Sequence, residues 1–212
     1  MGIELAAVEV TGVEATRAAV EVRLADGKVL AFQALTPQAP GAGLGKRGFL
    51  CGPPALYVAR LDADAVRRAV ATMASELSGY WLRIYGRASA EPAPAKPKVK
   101  GPALAVASVG LTDVEPKRSP ARCSAVAQVR LTDGREFSIL TASPAWFAEA
   151  FQETWLAYFY GPSVLFLSSV EAKLARQAAE DLLARGDRWL CLYDSPRTTL
   201  ARVLVDFKAR HQ

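Results

Sequence analysis

The stretch AAVEVRLADG, residues 18–27, decides the fold that we predict for this chain. Apolar side chains alternate with charged ones along residues 20–24, which is the period of a strand with one buried face. The following Asp26-Gly27 pair is typical of a two-residue hairpin turn, because glycine adopts a positive φ at little cost. The same pattern recurs 107 residues later as AVAQVRLTDG, residues 125–134. We therefore predict the same hairpin twice in the chain.

Further matches in the same order extend this repeat. A Gly-Pro pair follows each hairpin, and the run at residues 56–86 then parallels the run at 165–194, including a shared tryptophan. In each copy a first apolar strand, the hairpin and a short apolar strand precede an amphipathic helix, and a strand carrying the tryptophan follows it. The prediction is an α+β fold, a tandem duplication of a β-β-β-β-α-β unit in which a helix packs on one face of an antiparallel sheet.

The domain boundaries follow from the repeat and from the segment between its copies. Residues 88–102 (ASAEPAPAKPKVKGP) are rich in proline and alanine, a composition typical of an extended, semi-rigid linker. We therefore predict a first repeat domain at 1–87 and a second at 103–212. The second domain has an aromatic, helical insertion at 144–160, and an amphipathic helix at 198–210 closes the chain.

Composition limits the class of protein. The 212 residues are 51% hydrophobic and 22% charged, which is typical of a globular protein. No apolar run reaches the roughly 18 residues that a membrane span needs, and the N-terminal stretch lacks the basic region of a secretory signal. We therefore expect a cytoplasmic protein. Asparagine is absent and methionine occurs twice, a depletion that suggests a hyperthermophile, archaeal-like protein, although a GC-rich genome would produce part of the same bias.

The glycine-rich stretch PGAGLGKRGFLCGPP, residues 40–54, contains a G-x-G-x-x-G pattern typical of nucleotide-binding loops. Such a loop needs a strand before it and a helix N-terminus after it, whereas two prolines follow this one. The phosphate-loop spacing also fails, because Pro40 stands at the first glycine position and Arg47 at the Ser/Thr position. We therefore expect no nucleotide and no other cofactor, and interpret the stretch as a flexible connector whose tip carries Lys46 and Arg47.

Groups for catalysis and metal binding are scarce. The single histidine, His211, lies near the chain end, so a histidine-based triad or zinc cluster cannot be assembled. The carboxylates occur where turns, helix caps and solvated helix faces account for them. Cys51, Cys123 and Cys191 have no metal-binding spacing, and a disulfide between two of them stays open. We predict no catalytic residue, no metal site and no enzyme activity.

Basic residues suggest a phosphate-binding surface by their positions rather than by their number, since the net charge is only +5. They concentrate in the linker, on two loop tips and on the sheet face opposite the core, where each could neutralise a nucleic-acid phosphate. The alternative is that they are solvated surface charges, with the sheet arginines paired to neighbouring acids. The candidate nucleic-acid-binding residues are Lys46, Arg47, Lys96, Lys98, Lys100, Lys117, Arg118, Arg122, Arg23 and Arg130.

Aromatic residues cluster in the second insertion, where residues 146–160 hold seven of the eighteen aromatic side chains (4 Trp, 6 Tyr and 8 Phe in the chain). The spacing of Phe147, Phe151 and Trp155 is typical of a helix packed on a sheet. Core packing or a protein contact is therefore favoured over a base-stacking platform. The candidate protein-contact residues are Trp146, Phe151, Trp155 and Tyr158.

Two resemblances bear on function. The proline-spaced lysines of residues 96–100 (KPKVK) resemble the basic extensions by which ribosomal proteins enter folded RNA. The β-β-β-β-α order, present twice, is similar in outline to the single-strand-binding Whirly and PUR-repeat families, from which the extra strand after each helix departs. Neither resemblance assigns a family.

We therefore predict a non-enzymatic, tandem-domain nucleic-acid-binding protein that associates with RNA or a ribosome rather than with DNA. Such a protein would bridge or block a ribonucleoprotein surface and could regulate translation. One alternative is a protein–protein adaptor that uses the aromatic insertion and the C-terminal helix. A second alternative is a single-stranded DNA-binding protein. No membrane partner is expected.

Overall fold

The computed structural model describes residues 3–51, 54–90, 104–115, 119–195 and 198–211. Within these residues the protein is α+β, with two five-stranded sheets and seven helices, one of them at the C-terminal end. The strands are β1 (Leu5–Thr11), β2 (Arg17–Leu24), β3 (Val29–Leu35), β4 (Phe49–Leu50), β5 (Leu56–Val58), β6 (Val106–Glu115), β7 (Ser124–Leu131), β8 (Glu136–Ala142), β9 (Tyr158–Phe159) and β10 (Leu165–Leu167). The helices are α1 (Ala39–Gly43), α2 (Ala63–Ser75), α3 (Tyr80–Ala90), α4 (Pro144–Glu153), α5 (Ala172–Ala184), α6 (Asp187–Tyr193) and α7 (Leu200–His211).

The two sheets have matching strand orders. The first is β1-β2-β3-β5-β9 and the second is β6-β7-β8-β10-β4. In each sheet a short strand pairs in parallel with the second strand of the hairpin, and a two-residue strand pairs antiparallel at the edge. The prediction of wholly antiparallel sheets is therefore wrong. Both sheets are mixed, because the insertion after β3 or β8 carries the chain back along the sheet before the next strand begins.

Both predicted hairpins are confirmed. β2 pairs antiparallel with β3, and β7 pairs antiparallel with β8. The turns contain Gly27 and Gly134 with φ of +84° and +89°, a region that favours glycine. A carboxylate closes each turn: Asp26 accepts a hydrogen bond from the Lys28 N–H, and Asp133 accepts one from the N–H two residues further on. The local sequence therefore explains both turns.

The chain forms two compact units that do not follow the order of the sequence. The first unit comprises the described residues within 1–39, 53–92 and 155–161, and the second those within 40–52, 93–154 and 162–212. Each half of the chain thus contributes one segment to the unit that the other half mainly builds. The domain boundaries at 87 and 103 stay a prediction. Of the predicted linker, residues 88–90 belong to α3, and 91–102 lie outside the described residues.

In the first unit α2 and α3 pack against the sheet. Val20 and Val22 of β2 are buried together with Val66 of α2. On the opposite face, alternate residues of β2, including Ala19 and Arg23, are exposed. One face of this sheet therefore forms the core and the other faces solvent, as the alternation in the sequence predicts.

In the second unit helices lie on both faces of the sheet. Val129 and Ile139 belong to one buried cluster with residues of α5 and α6. Val126 and Leu140, which pair across β7 and β8, point to the other face and are also buried. Because α7 packs against these two strands, it covers that second face. The predicted C-terminal helix is confirmed, and the prediction of a helix on one face only is wrong for this unit.

The segment after each core helix is helical, so the predicted final strand of the unit is wrong. Trp81 lies in α3 and Trp189 in α6. Leu82 and Tyr85 are three residues apart and both are buried, which is the spacing of one helix face. A short apolar run does not by itself distinguish a strand from a helix.

The two insertions have defined secondary structure. The glycine-rich stretch forms α1, a 3-10 turn (Gly45–Arg47) and β4, and β4 pairs with β10, so its interpretation as a flexible connector is wrong. The second insertion is helical only to Glu153. The Thr154 hydroxyl lies 2.7 Å from the Ala150 carbonyl oxygen, and the next residue, Trp155, has a φ of +55° before β9 begins. The left-handed residue ends the helix.

Two further features concern the chain as a whole. Among the described ranges, no helix has both the length and the hydrophobicity to cross a membrane. All three cysteines are free thiols: Cys51 and Cys123 are buried, and Cys191 is exposed.

Candidate functional site

A groove of about 620 Å³ lies in the second unit between α4, α7 and the 3-10 turn Pro120–Arg122. We call it the α4–α7 groove. Its lining combines apolar side chains with a few charged and polar ones: Ser119, Arg122, Trp146, Glu149, Ala150, Glu153, Thr154, Ala201, Leu204 and Val205.

The first turn of α4 positions Trp146. Ser143 is the N-cap, and its Oγ accepts a hydrogen bond from the Trp146 N–H at 3.2 Å. Pro144 follows at the first helical position, where its missing N–H costs nothing. Phe147 is buried and lies edge-to-face with Phe166, with ring centroids 5.2 Å apart. Because Phe147 points into the core, the preceding Trp146 turns toward the groove and stays half-buried.

Helix α7 forms the second wall. Leu200, Leu204 and Phe207 recur at helical spacing and are buried, so one face of α7 is fixed against the sheet. Val205 lies beside this stripe, lines the groove and is 51% exposed. A half-exposed valine opposite a half-buried tryptophan leaves apolar surface open to water in the groove.

The groove has two acidic side chains on α4 and one basic side chain on the 3-10 turn. Glu149 and Glu153 stand one helical turn apart on α4, and both are exposed. Neither carboxylate has a hydrogen bond or ion pair with any part of the chain that the structure describes. Like charges at this spacing destabilise a helix by roughly 0.2–0.5 kcal/mol. The Arg122 side chain, on the third lining element, is likewise without an acidic partner among the described residues.

Three of the candidate nucleic-acid-binding arginines have carboxylate partners. Arg47 Nη1 donates to Asp181 Oδ1 at 2.9 Å, and its guanidinium lies 5.0 Å from the centroid of the Phe49 ring. Arg23 lies 3.6 Å from a Glu21 carboxylate oxygen. The third pair is Arg130 with Glu136 at 3.9 Å. Exposed pairs of this kind are worth only about 0–1 kcal/mol, so a phosphate would have to displace a weak carboxylate contact.

The other candidate basic residues are less constrained by the structure. Lys46 and Arg122 are exposed, and neither side chain has an acidic partner in the described ranges. Arg23 belongs to the first unit, whereas Lys46, Arg47, Arg122 and Arg130 belong to the second. The remaining candidates lie outside the described residues: Lys96, Lys98, Lys100, Lys117 and Arg118.

The four candidate protein-contact aromatics have four different environments. Trp146 lines the groove, and Phe151 is 2% exposed and belongs to the core. Trp155 is 81% exposed after the end of α4. The Tyr158 hydroxyl lies 3.0 Å from the Thr72 Oγ1 in the first unit. Of the helix face that the spacing predicts, Phe147 and Phe151 are buried on α4, whereas Trp155 lies beyond the end of the helix and is exposed.

Sequence reasoning missed Glu149, Glu153 and Val205 as site residues. The signal was present for the two glutamates, because they are four residues apart on a helix whose opposite face is aromatic. For Val205 there was no local signal, since it becomes a wall of the groove only where α7 packs beside α4.

Two groups with a perturbed pKa, Cys51 and Tyr85, are buried outside the groove. Burial, reinforced by the nearby Asp181 carboxylate, raises the pKa of the Cys51 thiol to about 12. Burial also raises the pKa of the Tyr85 hydroxyl. Burial thus favours the protonated thiol and hydroxyl over their charged forms. Within the described ranges no three His, Cys, Asp or Glu side chains are grouped to hold a metal ion.

Comparison with known protein families, curated proteins and solved structures finds no significant match to this chain. The residues themselves must therefore support any proposal about function.

Proposed function

We propose that this is a non-catalytic binding protein whose α4–α7 groove docks an amphipathic helical segment of another protein. The observation that carries the proposal is the α4–α7 groove itself, where Trp146 and Val205 present apolar surface beside two unpaired carboxylates. The docked helix would place its apolar face between α4 and α7 and its lysines or arginines toward Glu149 and Glu153. This is helix-in-groove recognition.

Apolar burial would provide the affinity. Burying a whole valine side chain contributes roughly 1.5–3 kcal/mol, and about half of Val205 is still exposed. Trp146 adds a rigid aromatic anchor with some of its ring still to bury. Both lie on helices held by buried residues, so the groove exists before the partner arrives.

Charge would provide the specificity. A cationic side chain near α4 relieves the repulsion between Glu149 and Glu153, whereas an acidic one increases it. Complementary charges of this kind mainly raise the association rate and exclude wrong partners. The groove should therefore prefer a basic helix over an acidic helix of the same apolar content.

The test uses two fluorescent amphipathic helices of about 14 residues, roughly four turns. One combines a leucine face with lysines, and the other has glutamate in place of lysine. We expect the lysine helix to bind by fluorescence anisotropy, and Trp146→Ala to weaken it roughly tenfold or more. Val205→Asp is a second variant with the same expected direction.

Trp155→Ala is the matched control, because Trp155 is 81% exposed and does not line the groove. We expect it to bind the lysine helix as the wild type does. Circular dichroism of each variant establishes that it is folded. Folded Trp146→Ala and Val205→Asp proteins that bind with wild-type affinity would contradict the proposed function.

Nucleic-acid binding is the second candidate function. Lys46 and Arg122 support it, because both are exposed and lack an acidic partner among the described residues. The test is binding of a labelled single-stranded RNA of about 20 nucleotides at increasing salt. Loss of affinity in a Lys46→Ala/Arg122→Ala variant supports this candidate, and unchanged affinity with no salt dependence counts against it.

We also infer that the chain is a tandem duplication, with a helix in place of the last strand of the predicted unit. The matching strand orders support this inference, as do the two Asp-Gly turns and the equal lengths of α2 and α5, at 13 residues each. An experimental structure in which the two sheets differ in strand order would contradict it.

A further inference from the structure

We propose that two exchanged arms hold together the two halves of the chain, residues 1–95 and 96–212. The halves then remain one assembly when the chain is cut between them. The first arm, residues 45–51, comes from the first half and belongs to the second unit. The second arm, residues 155–161, comes from the second half and belongs to the first unit. This interaction does not depend on the α4–α7 groove.

The second arm is held by its backbone and by tyrosine hydroxyls. Its strand β9 pairs with β5, and the Ala59 N–H donates to the Ala157 carbonyl at 2.9 Å. The Tyr160 hydroxyl donates to a Glu76 carboxylate oxygen at 2.6 Å. At the end of the arm, the Gly161 N–H donates to the buried Tyr85 hydroxyl at 3.1 Å. Phe159 is 1% exposed. The arm is therefore part of the core of the first unit.

The first arm is held in a comparable way. Its strand β4 pairs with β10, and the Ser168 N–H donates to the Gly48 carbonyl at 2.7 Å. The ion pair between Arg47 and Asp181, at 2.9 Å, fixes the start of the arm. At the end of the arm, the Arg185 side chain donates to the Cys51 carbonyl at 3.2 Å, and the Cys51 side chain is buried.

Neither half can complete its own sheet. Without the second arm, β5 would be a bare sheet edge, and the pocket for Phe159 and Tyr160 would be empty. Without the first arm, β10 would lose its edge strand and the cluster around α5 would lose Phe49 and Cys51. An unpaired edge and an exposed apolar cluster both favour recapture of the missing segment. The partner that each half fits is therefore the arm of the other half.

The test starts from the full chain with a site-specific protease sequence inserted between residues 95 and 96. After cleavage of the folded protein, size-exclusion chromatography at low micromolar concentration separates free fragments from an assembly. We expect both fragments to elute together at the position of the uncut protein. Fragments that elute separately would overturn the proposal.

A second measurement assigns the association to the arms. The cleaved protein is mixed with an isotopically labelled copy, and the exchange of fragments is followed by native mass spectrometry. We expect Arg47→Ala and Tyr160→Phe to speed this exchange at least several-fold. The matched controls remove comparable groups outside the arms: Arg67→Ala breaks the exposed pair with Asp64, and Tyr80→Phe removes an exposed hydroxyl.

Exchange rates that are equal in the arm variants and the controls would overturn the assignment to the arms. The result is also distinguishable from failure of the proposed groove. A Trp146→Ala protein should stay assembled after cleavage whether or not it binds the lysine helix.

Discussion

The hydroxyl of Tyr85 provides a sharp test of how the second arm is held. Tyr85 is buried, and its hydroxyl both donates to the Gly161 carbonyl at 3.3 Å and accepts from the Gly161 N–H at 3.1 Å. The replacement Tyr85→Phe removes the oxygen and keeps the ring, which lies edge-to-face with Phe32 at 5.7 Å. The packing of the ring is therefore preserved, and only the two hydrogen bonds are lost.

The magnitude follows from burial. A buried N–H left without a partner costs roughly 1–3 kcal/mol, and Gly161 is itself buried. The hydrogen bond to the Gly161 carbonyl is the longer one, and the carbonyl keeps a second lone pair, so losing this bond costs less. We expect Tyr85→Phe to lower the free energy of unfolding by about 2 kcal/mol. For a chain of this size that corresponds to roughly 4–8 °C in Tm.

Guanidinium unfolding followed by far-ultraviolet circular dichroism measures this loss, with Tyr80→Phe as the control because the Tyr80 side chain is exposed. The control should stay within about 0.5 kcal/mol of the wild type. A Tyr85→Phe protein as stable as the control would refute the reasoning. The direction in which this contribution to the free energy of unfolding changes with pH follows from the pKa. Burial raises the pKa of Tyr85 above the ordinary 10.0, so its contribution is present below about pH 10 and declines above it.

Three further predictions concern single residues. Asp62→Ala should cost about 1 kcal/mol, because Asp62 caps α2, whereas Asp64→Ala next to it should change little; chemical unfolding compares them. Gly79→Ala should destabilise the protein by at least about 1–2 kcal/mol, because the φ of Gly79 is +71° and a Cβ there would clash with the Ile3 side chain. Gly110→Ala should cost less, because a Cβ at Gly110 meets open space. Because burial raises the pKa of Cys51 from 9.0 to about 12, unfolding free energy should fall by up to about 1.4 kcal/mol per pH unit above pH 9. Cys51→Ala should flatten that decline in a pH series.

The hairpins and core helices could be predicted from sequence because their signals are local. An Asp-Gly pair between alternating strands specifies the turn wherever it occurs. The Asp62 and Ser143 caps likewise act on N–H groups three residues away. The prediction of a strand at each shared tryptophan was wrong. A short apolar run is too short to show whether its buried residues recur with the period of a helix or with that of a strand.

The exchanged arms could not be predicted, because the information is not local. β9 pairs with β5 across about a hundred residues of sequence, and nothing in the arm itself says which sheet edge it completes. The same limit applies to the groove. The aromatic insertion and the C-terminal helix were both recognised as candidate contact elements. Only the fold places Trp146, Val205 and Arg122 around one cavity.

The most direct measurement of the proposed function is a charge swap in the groove. We compare the wild type with a Glu149→Lys/Glu153→Lys variant, using the lysine and glutamate helices in the same anisotropy titration. A Glu9→Lys/Asp64→Lys variant has the same change in net charge outside the groove and serves as the control. We expect the wild type and the control to prefer the lysine helix, roughly tenfold or more, and the groove variant to prefer the glutamate helix. The same preference in all three proteins would contradict a basic helix docked between α4 and α7.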